Sequence, residues 1–398
     1  MSKLDELIQQ HCPDGVEYKP IGTVVKTLKK GTLKQGELVI DGLYPVVNSG
    51  REYYGRYNDY NNEGDAFTFA SRGEYAGFVN YHSDKFWAGG LCYPYRSKDE
   101  SKYNTKYLYY ASKNKEKYIR ESIVCEGSIP ALNKADIEDF EIPLPPLPVQ
   151  EEVVRILDKF TELEQELEQE LELRKKQYEY YRDKILSLSL SDYDGEVEWK
   201  SLDEIATNWF RGNGIKRDEV IEDGNPCIRY GELYTTYGLH FTDCVSHTSV
   251  VVLSNPKIAK KGAILFAITG ENVEDIAMST AYLGEEDIYV GGDILVMEHE
   301  QDAKYLSYVL STTDARKQKS KGRIKSKVVH SNKNDISQII IPVPKDTNEQ
   351  RRVADVLDRF YNLINNISEG LPVEIKMRHQ QYEYYRDKLL NFKRLEVV

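Results

Sequence analysis

The chain has 398 residues, of which 40% are hydrophobic, and a formal net charge of -12 at pH 7. Its mean hydropathy is -0.58 and no apolar run approaches the ~18 residues of a membrane helix, so a membrane-spanning helix is excluded. The N-terminal segment carries charges where a signal peptide needs an apolar centre, and we expect a cytoplasmic protein. Five cysteines without a C-x-x-C pair predict reduced thiols and no metal framework.

Four predicted segments follow one another along the chain, and the second pair repeats the first. They are a divergent block at 1–141, a helical region at 142–190, a second divergent block at 191–341 and a second helical region at 342–398. The clearest copies are QYEYYRDKIL at 177–186 and QYEYYRDKLL at 381–390. A repeat of this length predicts two modules, and we expect specificity to lie where the two blocks differ.

The first helical region is predicted to be one long rod. Prolines in PLPPLPVQ (143–150) stop any upstream helix, and apolar or aromatic side chains then recur every three or four residues. This spacing is typical of a coiled-coil seam. About 37 residues at ~1.5 Å each give a rod of roughly 55 Å. In the second region, GLP at 370–372 interrupts the same pattern and predicts a kink or offset.

Two such seams in one chain most simply bury each other. Because each helix leads out of its own block, we expect an antiparallel pair with a pseudo-two-fold axis and the blocks at opposite ends. The alternative is a plain dimerisation coiled coil, although the duplication already supplies an intramolecular partner.

The first helix also contains LEQELEQE (163–170), a four-residue unit repeated in tandem. Each copy adds about 6 Å and turns the far end by about 40°. That increment suits an adjustable spacer, but Glu, Leu and Gln are also simply good helix formers.

Motifs for catalysis are missing from the sequence. It has no G-x-x-x-x-G-K-[ST] phosphate loop and no [ND]-P-P-[YF] adenine-methylation motif. Its seven histidines lack metal-ligand spacing, and the E-x-K formed by Glu374 and Lys376 has no matching Asp in context. We therefore expect a chain without catalytic residues, metal or cofactor of its own.

The order of divergent block, PLPPLPVQEEVVRILDKFTELEQELEQELELRKKQYEYYRDKIL, divergent block and QYEYYRDKLL resembles the specificity subunit of type I restriction-modification enzymes over essentially the whole chain. The resemblance implies two α+β target recognition domains that each bind one half of a split double-stranded DNA sequence. It also implies that an antiparallel two-helix coiled coil sets the half-site spacing. The family's cyclic arrangement further implies that residues 4–19 lie near the C-terminal helix.

The same resemblance implies a non-catalytic chain that assembles with two adenine-methylating subunits and two motor-nuclease subunits. S-adenosylmethionine, ATP and magnesium would belong to those partners. Because the two blocks differ, we expect an asymmetric bipartite target. Alternatives are the recognition subunit of a related enzyme whose methylation and cleavage share one partner chain, a coiled-coil scaffold that binds protein, and a nuclease acting alone.

Candidate DNA contacts follow from residue chemistry once this function is expected. Base readout needs planar donors on rigid loops, and glycines let the backbone approach closely. The candidates beside glycines are Asn48, Arg51, Arg56, Arg72 and Tyr75 in the first block and Arg211, Asn213, Lys216, Arg217 and Arg229 in the second. An ordinary surface or ion-pairing function is the alternative for each of them.

Phosphate contacts are expected from the densest basic run, ARKQKSKGRIKSK, which is predicted to be a loop or edge hairpin. Its cations are Arg316, Lys317, Lys319, Lys321, Arg323, Lys325 and Lys327. The predicted counterpart in the first block is KNKEKYIRES, in which acids dilute the cations Lys113, Lys115 and Lys117. A solvated charged surface is the alternative for both runs.

Overall fold

The computed structural model of the chain describes residues 2–188, 196–249, 255–320, 323–325, 328–365 and 371–396. The chain divides into two compact units, one of Met1–Glu168 with Glu374–Val398 and one of Gln169–Val373. Each unit therefore joins one divergent block to parts of both helical regions. Among the described residues, no helix combines the length and the apolar character needed to cross a membrane.

The described α-helices include one much longer than the others, which begins at Leu147, within the predicted proline segment 143–150. They are α1 (Lys3–His11), α2 (Thr105–Asn114), α3 (Glu116–Tyr118), α4 (Lys134–Glu138), α5 (Leu147–Leu188), α6 (Leu202–Ile205), α7 (Tyr230–Thr235), α8 (Ala303–Ser311), α9 (Thr313–Lys319), α10 (Lys333–Ser337), α11 (Thr347–Asn365) and α12 (Leu371–Leu389). The 42 residues of α5 bear out the predicted rod. The second helical region is described as two helices, α11 and α12; Gly370 of the predicted interruption lies outside the described residues, and Leu371 and Pro372 begin α12.

The described strands are short and fall within the divergent blocks and their edges. They are β1 (Glu17–Pro20), β2 (Val25–Thr27), β3 (Tyr44–Val47), β4 (Gly55–Tyr57), β5 (Ala66–Ala70), β6 (Val79–His82), β7 (Trp87–Ala88), β8 (Cys92–Ser97), β9 (Glu141–Leu144), β10 (Val197–Ser201), β11 (Ala206–Arg211), β12 (Val220–Ile221), β13 (Asn225–Ile228), β14 (His240–Phe241), β15 (Ser246–Thr248), β16 (Ile258–Ala259), β17 (Ile264–Ala267), β18 (Thr269–Gly270), β19 (Ser279–Tyr282), β20 (Ile288–Val290), β21 (Ile294–His299), β22 (Arg323–Lys325), β23 (Val328–His330) and β24 (Ile340–Pro344).

The two units repeat one sheet topology. In the first, the sheets have the strand orders β2-β8-β5-β6, β4-β3-β7 and β1-β9. In the second, the orders β11-β21-β17-β19-β14, β12-β15-β13-β20-β16 and β10-β24 contain the same sequence of strands with additional edge strands. The parallel pairing of β3 with β7 recurs as β13 with β20. The duplication therefore extends through the divergent blocks, where the sequences hardly match.

In each unit, a core lies between the sheet that contains β5 or β17 and the helix α2 or α8 that follows that sheet. Every residue of β5 and of β17 is buried, as expected of central strands covered on both faces. In the first unit Phe67 and Phe69 of β5 pack in one cluster with Tyr107 of α2. In the second, Phe266 of β17 packs with Tyr305 of α8.

A buried glutamine attaches the start of the long helix to its own sheet domain in each unit. Gln150 donates from Nε2 to the Pro145 carbonyl (2.7 Å) and accepts at Oε1 from the Asn104 N–H (2.9 Å). Gln350 donates to the Pro344 carbonyl (2.8 Å) and accepts from the Asp302 N–H in the same way. Because buried polar groups must be paired, these bonds fix the direction in which each helix leaves its sheet.

Within the first unit, the early part of α5 packs against α12. The rings of Phe160 and Tyr385 stack with centroids 5.3 Å apart, and the Glu164 Oε1 lies 3.2 Å from the His379 Nδ1. Residue numbers rise along α5 as they fall along α12, so the two helices run antiparallel at this contact. Within the second unit, Tyr178 of α5 contacts Tyr361 of α11, with centroids 5.9 Å apart.

The N-terminal segment lies against the end of the chain in the first unit, as the family resemblance implied. The Val16 N–H donates to the Lys393 carbonyl (2.8 Å), and the Leu395 N–H donates to the Val16 carbonyl (2.9 Å). Tyr18 donates from its hydroxyl to the Phe392 carbonyl (2.8 Å). The expectation that residues 4–19 lie near the C-terminal helix is confirmed.

Candidate nucleic-acid interface

A turn of two glycines after β7 organises the loops of the first unit. The Gly89 N–H donates to the Val47 carbonyl (2.8 Å), so the turn lies at the carboxyl end of β3. Asn48 follows Val47 directly, and its Oδ1 accepts from the Leu91 N–H (2.9 Å). The Asn48 carboxamide thus supports the turn through its oxygen.

Two further loops bring cations to the same turn. Lys30 donates from Nζ to the Gly90 carbonyl (3.2 Å) and lies over the Tyr93 ring. The Ser71 N–H donates to the Leu91 carbonyl (2.9 Å), which places the exposed Arg72 on the adjoining loop. The structure therefore gathers Asn48 and Arg72 around one turn, together with a lysine that the sequence analysis did not select.

Arg51 and Tyr75 also come together. The Arg51 guanidinium lies over the Tyr75 ring at 5.1 Å from its centroid and over the Phe78 ring at 5.7 Å. Lys113 lies 4.1 Å from the centroid of Phe78 and forms an ion pair with Glu116 (2.7 Å). Burial lowers the pKa of Lys113, against the opposing effect of Glu116. Its ammonium is already held in the domain, whereas the Arg51 side chain is on an exposed loop.

The remaining candidates of the first unit separate into structural and exposed groups. Arg56 donates from Nε to the Gly42 carbonyl (2.5 Å) and from Nη2 to the Leu43 carbonyl (2.9 Å), so it holds a neighbouring turn. Lys115 and Lys117 are exposed near the end of α2 and in α3.

The second unit has the same turn of two glycines, Gly291 and Gly292, but with different residues around it. The Gly291 N–H donates to the Ile228 carbonyl (2.8 Å), as Gly89 does to Val47, so Arg229 takes the position of Asn48. The Arg229 guanidinium pairs with the buried Glu232 (3.2 Å).

The loop beside this turn carries four of the five base-readout candidates predicted in the second block, namely Arg211, Asn213, Lys216 and Arg217. The Asn213 N–H donates to the Val290 carbonyl (3.0 Å), and Arg211 pairs with Asp293 of the turn. A Cβ on Gly212 would lie 2.1 Å from the Gly291 carbonyl oxygen, so only glycine allows this approach. Lys216 and Arg217 follow on the same loop and are exposed.

Matching hydrogen bonds identify the counterpart of this loop in the first unit. The Gly31 N–H donates to the Ala88 carbonyl (2.8 Å), as Asn213 does to Val290. Three residues later, the Lys34 N–H donates to the Glu37 carboxylate (2.7 Å), as the Lys216 N–H does to Glu219 (2.8 Å).

The first block therefore has a loop equivalent to 211–220 whose residues were not among the predicted DNA contacts. KKGTLKQGEL (29–38) corresponds to RGNGIKRDEV (211–220), and its cations are Lys29, Lys30 and Lys34. The sequence could have indicated this basic loop, because no acidic residue occurs between Lys26 and Lys34.

The first part of the basic run is helical, so its predicted loop or hairpin conformation is wrong for Arg316, Lys317 and Lys319. These residues lie on α9, and the side chain of Thr312 caps this helix by accepting from the Ala315 N–H (3.3 Å). Arg316 pairs with Glu179 (3.1 Å), and Lys317 is exposed.

Lys319 is placed inside the domain. It is 7% exposed, and its Nζ donates to the Ser279 Oγ (2.7 Å). Burial, together with the nearby Arg316 charge, lowers the pKa of Lys319 to about 7. An ammonium in this position has no access to a phosphate on the domain surface.

The second part of the basic run forms the predicted hairpin. Arg323 and Lys325 lie on β22, which pairs antiparallel with β23. Lys321 and Lys327 lie outside the described residues. The matching segment of the first unit is 125–131, where Cys125 and Arg72 both bridge to Ala131. This segment contains no lysine or arginine, so KNKEKYIRES is not the counterpart of the hairpin itself.

The part of the chain that the structure describes holds no group of three His, Cys, Asp or Glu side chains able to bind a metal ion. The five cysteines are free. The site is therefore a set of basic and amide side chains on loops around a glycine turn, built twice.

Comparison with known proteins also finds two copies of one domain in the chain. The sequence profile described as the type I restriction modification DNA specificity domain matches residues 13–173 and again residues 195–377. The chain therefore belongs to the family of type I restriction-modification DNA specificity proteins. The resemblance found in the sequence is confirmed, as are two domains of mixed helix and sheet.

The chain is similar to particular members over its full length. It is 30% identical to the type I restriction enzyme EcoR124I/EcoR124II specificity subunit of Escherichia coli, with 100% of this chain and 99% of that protein covered. It is 28% identical to a putative type I restriction enzyme specificity subunit of Haemophilus influenzae, with 95% and 96% covered.

Two solved structures share the fold. The S subunit of a type I restriction-modification system from M. genitalium matches with a TM-score of 0.52 at 18% identity, covering 94% of this chain and 96% of that one. A chain from a study of type I complex assembly and conformational transition matches with a TM-score of 0.58 at 16% identity, covering 95% and 98%.

Proposed function

We propose that this chain is the DNA-recognition subunit of a type I restriction-modification complex and reads an asymmetric bipartite target. The observation that carries the proposal is the loop cluster built twice around a Gly-Gly turn. The first copy presents Lys29, Lys30 and Arg72, and the second presents Arg211, Asn213 and Lys216. Equal scaffolds with different donor sets suit two half-sites of different sequence.

The two helical regions set the separation of the half-sites in this proposal. Supporting it, α5 packs against α12 in the first unit and against α11 in the second. A helix shared in this way acts as a spacer whose length changes by about 1.5 Å per residue. The tandem unit at 163–170 lies within α5 and would be the adjustable element.

Catalysis belongs to partner subunits in this proposal. The sequence has neither the adenine-methylation motif nor the phosphate loop, so two methylating subunits would supply S-adenosylmethionine chemistry and two motor-nuclease subunits would use ATP and magnesium. We place the complex in the cytoplasm with the DNA.

The test is methylome mapping in a host that carries this chain with its methylating partner. Methylated adenines should define one sequence made of two unlike half-sites with a fixed gap. Replacing residues 1–141 by the corresponding block of another family member should change one half-site and leave the other intact. Loss or change of both half-sites would contradict modular recognition, and a partner-free nuclease activity with magnesium alone would contradict the assignment of catalysis.

A further inference from the structure

An apolar tip projects from the first unit between the 3₁₀ turn Gln35–Glu37 and β3. Ile40 is 94% exposed, and Leu43 is 67% exposed. Tyr53 and Tyr54, which precede β4, are exposed as well. Large apolar side chains left in water at one place mark an interaction surface, because each gains by burial.

The repeat supplies an internal comparison for this tip. The Val39 N–H donates to the Arg56 carbonyl (2.9 Å). In the second unit, Ile221 of β12 pairs with His247 of β15, which is the equivalent of Arg56. The residue that follows is Ile40 in the first unit and Glu222 in the second.

The next residues, Asp41-Gly42 and Asp223-Gly224, are the same in both tips. A Cβ would lie 2.6 Å from the Tyr57 nitrogen at Gly42 and 2.7 Å from the Thr248 oxygen at Gly224, so both turns close on glycine. Both tips therefore turn on an Asp-Gly pair, whereas the residue before that pair differs and the first tip has one residue more before its strand.

The tip of the first unit is held rigidly. Arg56 donates to the Gly42 and Leu43 carbonyls, as described above, and the Leu43 N–H donates to the Asn58 Oδ1 (3.3 Å). These three bonds hold the backbone that follows Ile40, which lowers the backbone entropy that the turn would lose on binding.

The surroundings of the tip favour DNA as its occupant. Lys34 begins the segment that leads to Ile40, and Arg51 lies two residues before Tyr53 on the other loop. The segment 34–40, which also carries Glu37, therefore joins the loop at the proposed DNA interface to the apolar tip at the amino end of β3. An apolar wedge with cations beside it can separate two base pairs while the cations hold the phosphates, which bends the duplex.

We propose that Ile40 inserts between two base pairs at the half-site bound by the first domain and bends the DNA there, and that the second domain, with Glu222, does not. This inference rests on the proposed function, because it assumes that the first domain binds DNA.

The experiment uses the full chain in complex with its methylating partner and a duplex that carries the mapped target. Anisotropy gives affinity, and energy transfer between dyes flanking the first half-site gives the bend. Ile40→Glu, which copies the second tip, should weaken binding about ten-fold or more and reduce the bend. Ile40→Ala should act in the same direction, and the matched control Glu222→Gln should leave both readouts unchanged.

Wild-type affinity and bend in both Ile40 variants would overturn the inference. A weaker complex with an unchanged bend would overturn insertion, and loss of the methylating partner from the Ile40→Glu complex would identify a protein-docking surface instead. If the wild-type complex selects no DNA sequence at all, the proposed function fails first, and that result is distinct from the others.

Discussion

Lys317 and Lys319 lie two residues apart on α9 in opposite environments. Lys317 is exposed, whereas Lys319 is buried and donates to Ser279. The sequence gives both residues the same expected function, since a basic run does not reveal which of its side chains the fold buries. Only the exposed lysine can release counterions from DNA.

Exchanging each lysine separately for methionine distinguishes these environments. Lys317→Met should reduce the slope of log affinity against log salt by about one, and Lys319→Met should leave it unchanged. Affinity measured at several salt concentrations with the partner-bound chain checks this. An equal loss of slope in both variants would mean that Lys319 reaches the DNA.

Lys319 also predicts a dependence of stability on pH. Because the folded pKa of about 7 lies below the unfolded value, the unfolded chain binds more protons between about pH 7 and 10. Wild-type stability should therefore rise across that window, and the rise should be smaller in Lys319→Met in matched denaturation curves.

Asp358 of α11 and its counterpart Asp158 of α5 connect these helices to the sheet domains, and Asp358 has more hydrogen-bonding and charged partners. Asp358 accepts from the Tyr308 hydroxyl (2.5 Å), lies 3.1 Å from His240 and pairs with Lys304. Burial by itself raises the pKa of Asp358, but these partners outweigh it and hold the pKa well below its usual range. Among the described residues, Asp158 pairs with Lys106 (2.8 Å) and accepts from the Tyr110 hydroxyl (2.7 Å).

Removing the two charges should therefore have unequal effects. Asp358→Asn should cost about 3 kcal/mol in the second unit, whereas Asp158→Asn should cost about 1 kcal/mol in the first. Since the folded pKa of Asp358 is depressed, its contribution is complete above about pH 4 and is lost as the pH falls further. Hydrogen exchange of α8 compared with α2 measures each unit separately, and equal costs would contradict the assigned contacts.

At the scale of elements, the loops depend on glycines that the fold cannot replace. Gly212 passes so close to Gly291 that a methyl group would meet its carbonyl, whereas Gly214 has open space around the Cβ position. The two glycines lie on one loop but differ in the space that a methyl group would have.

Alanine substitution should separate the two positions. Gly212→Ala should displace the loop, cost about 2 kcal/mol and weaken recognition of the second half-site, while Gly214→Ala should retain stability and binding. Denaturation and affinity for half-site variants are the measurements. A Gly212→Ala protein with wild-type recognition would show that the loop does not contact DNA.

The long helix α5 was predictable from the sequence because its apolar periodicity and the prolines at its start are local signals. The loop 29–38 was not identified, since its equivalence to 211–220 lies in backbone hydrogen bonds and not in shared letters. The helix α9 was not predicted although Thr312 is a typical N-cap residue, because closely spaced cations around a glycine are also typical of a loop or hairpin.

At the scale of the whole molecule, duplication explains both what is shared and what differs. The helical copies QYEYYRDKIL and QYEYYRDKLL are nearly identical. The first copy contributes the buried Tyr178 to the second unit, and the second copy contributes the buried Tyr382 to the first unit. The recognition blocks keep the strand order and exchange the loop residues. One scaffold can thus present two unlike DNA-binding surfaces without a change in its helices.

The most direct test of this account is the gap between half-sites after deletion of residues 167–170 from α5. Removing one turn shortens the helix by about 6 Å, so the methylome should show the same two half-sites with a gap changed by one or two base pairs. Replacing the same four residues with alanines, which preserves length, should leave the gap unchanged. A gap that stays the same after the deletion would contradict a helical spacer between two DNA readers.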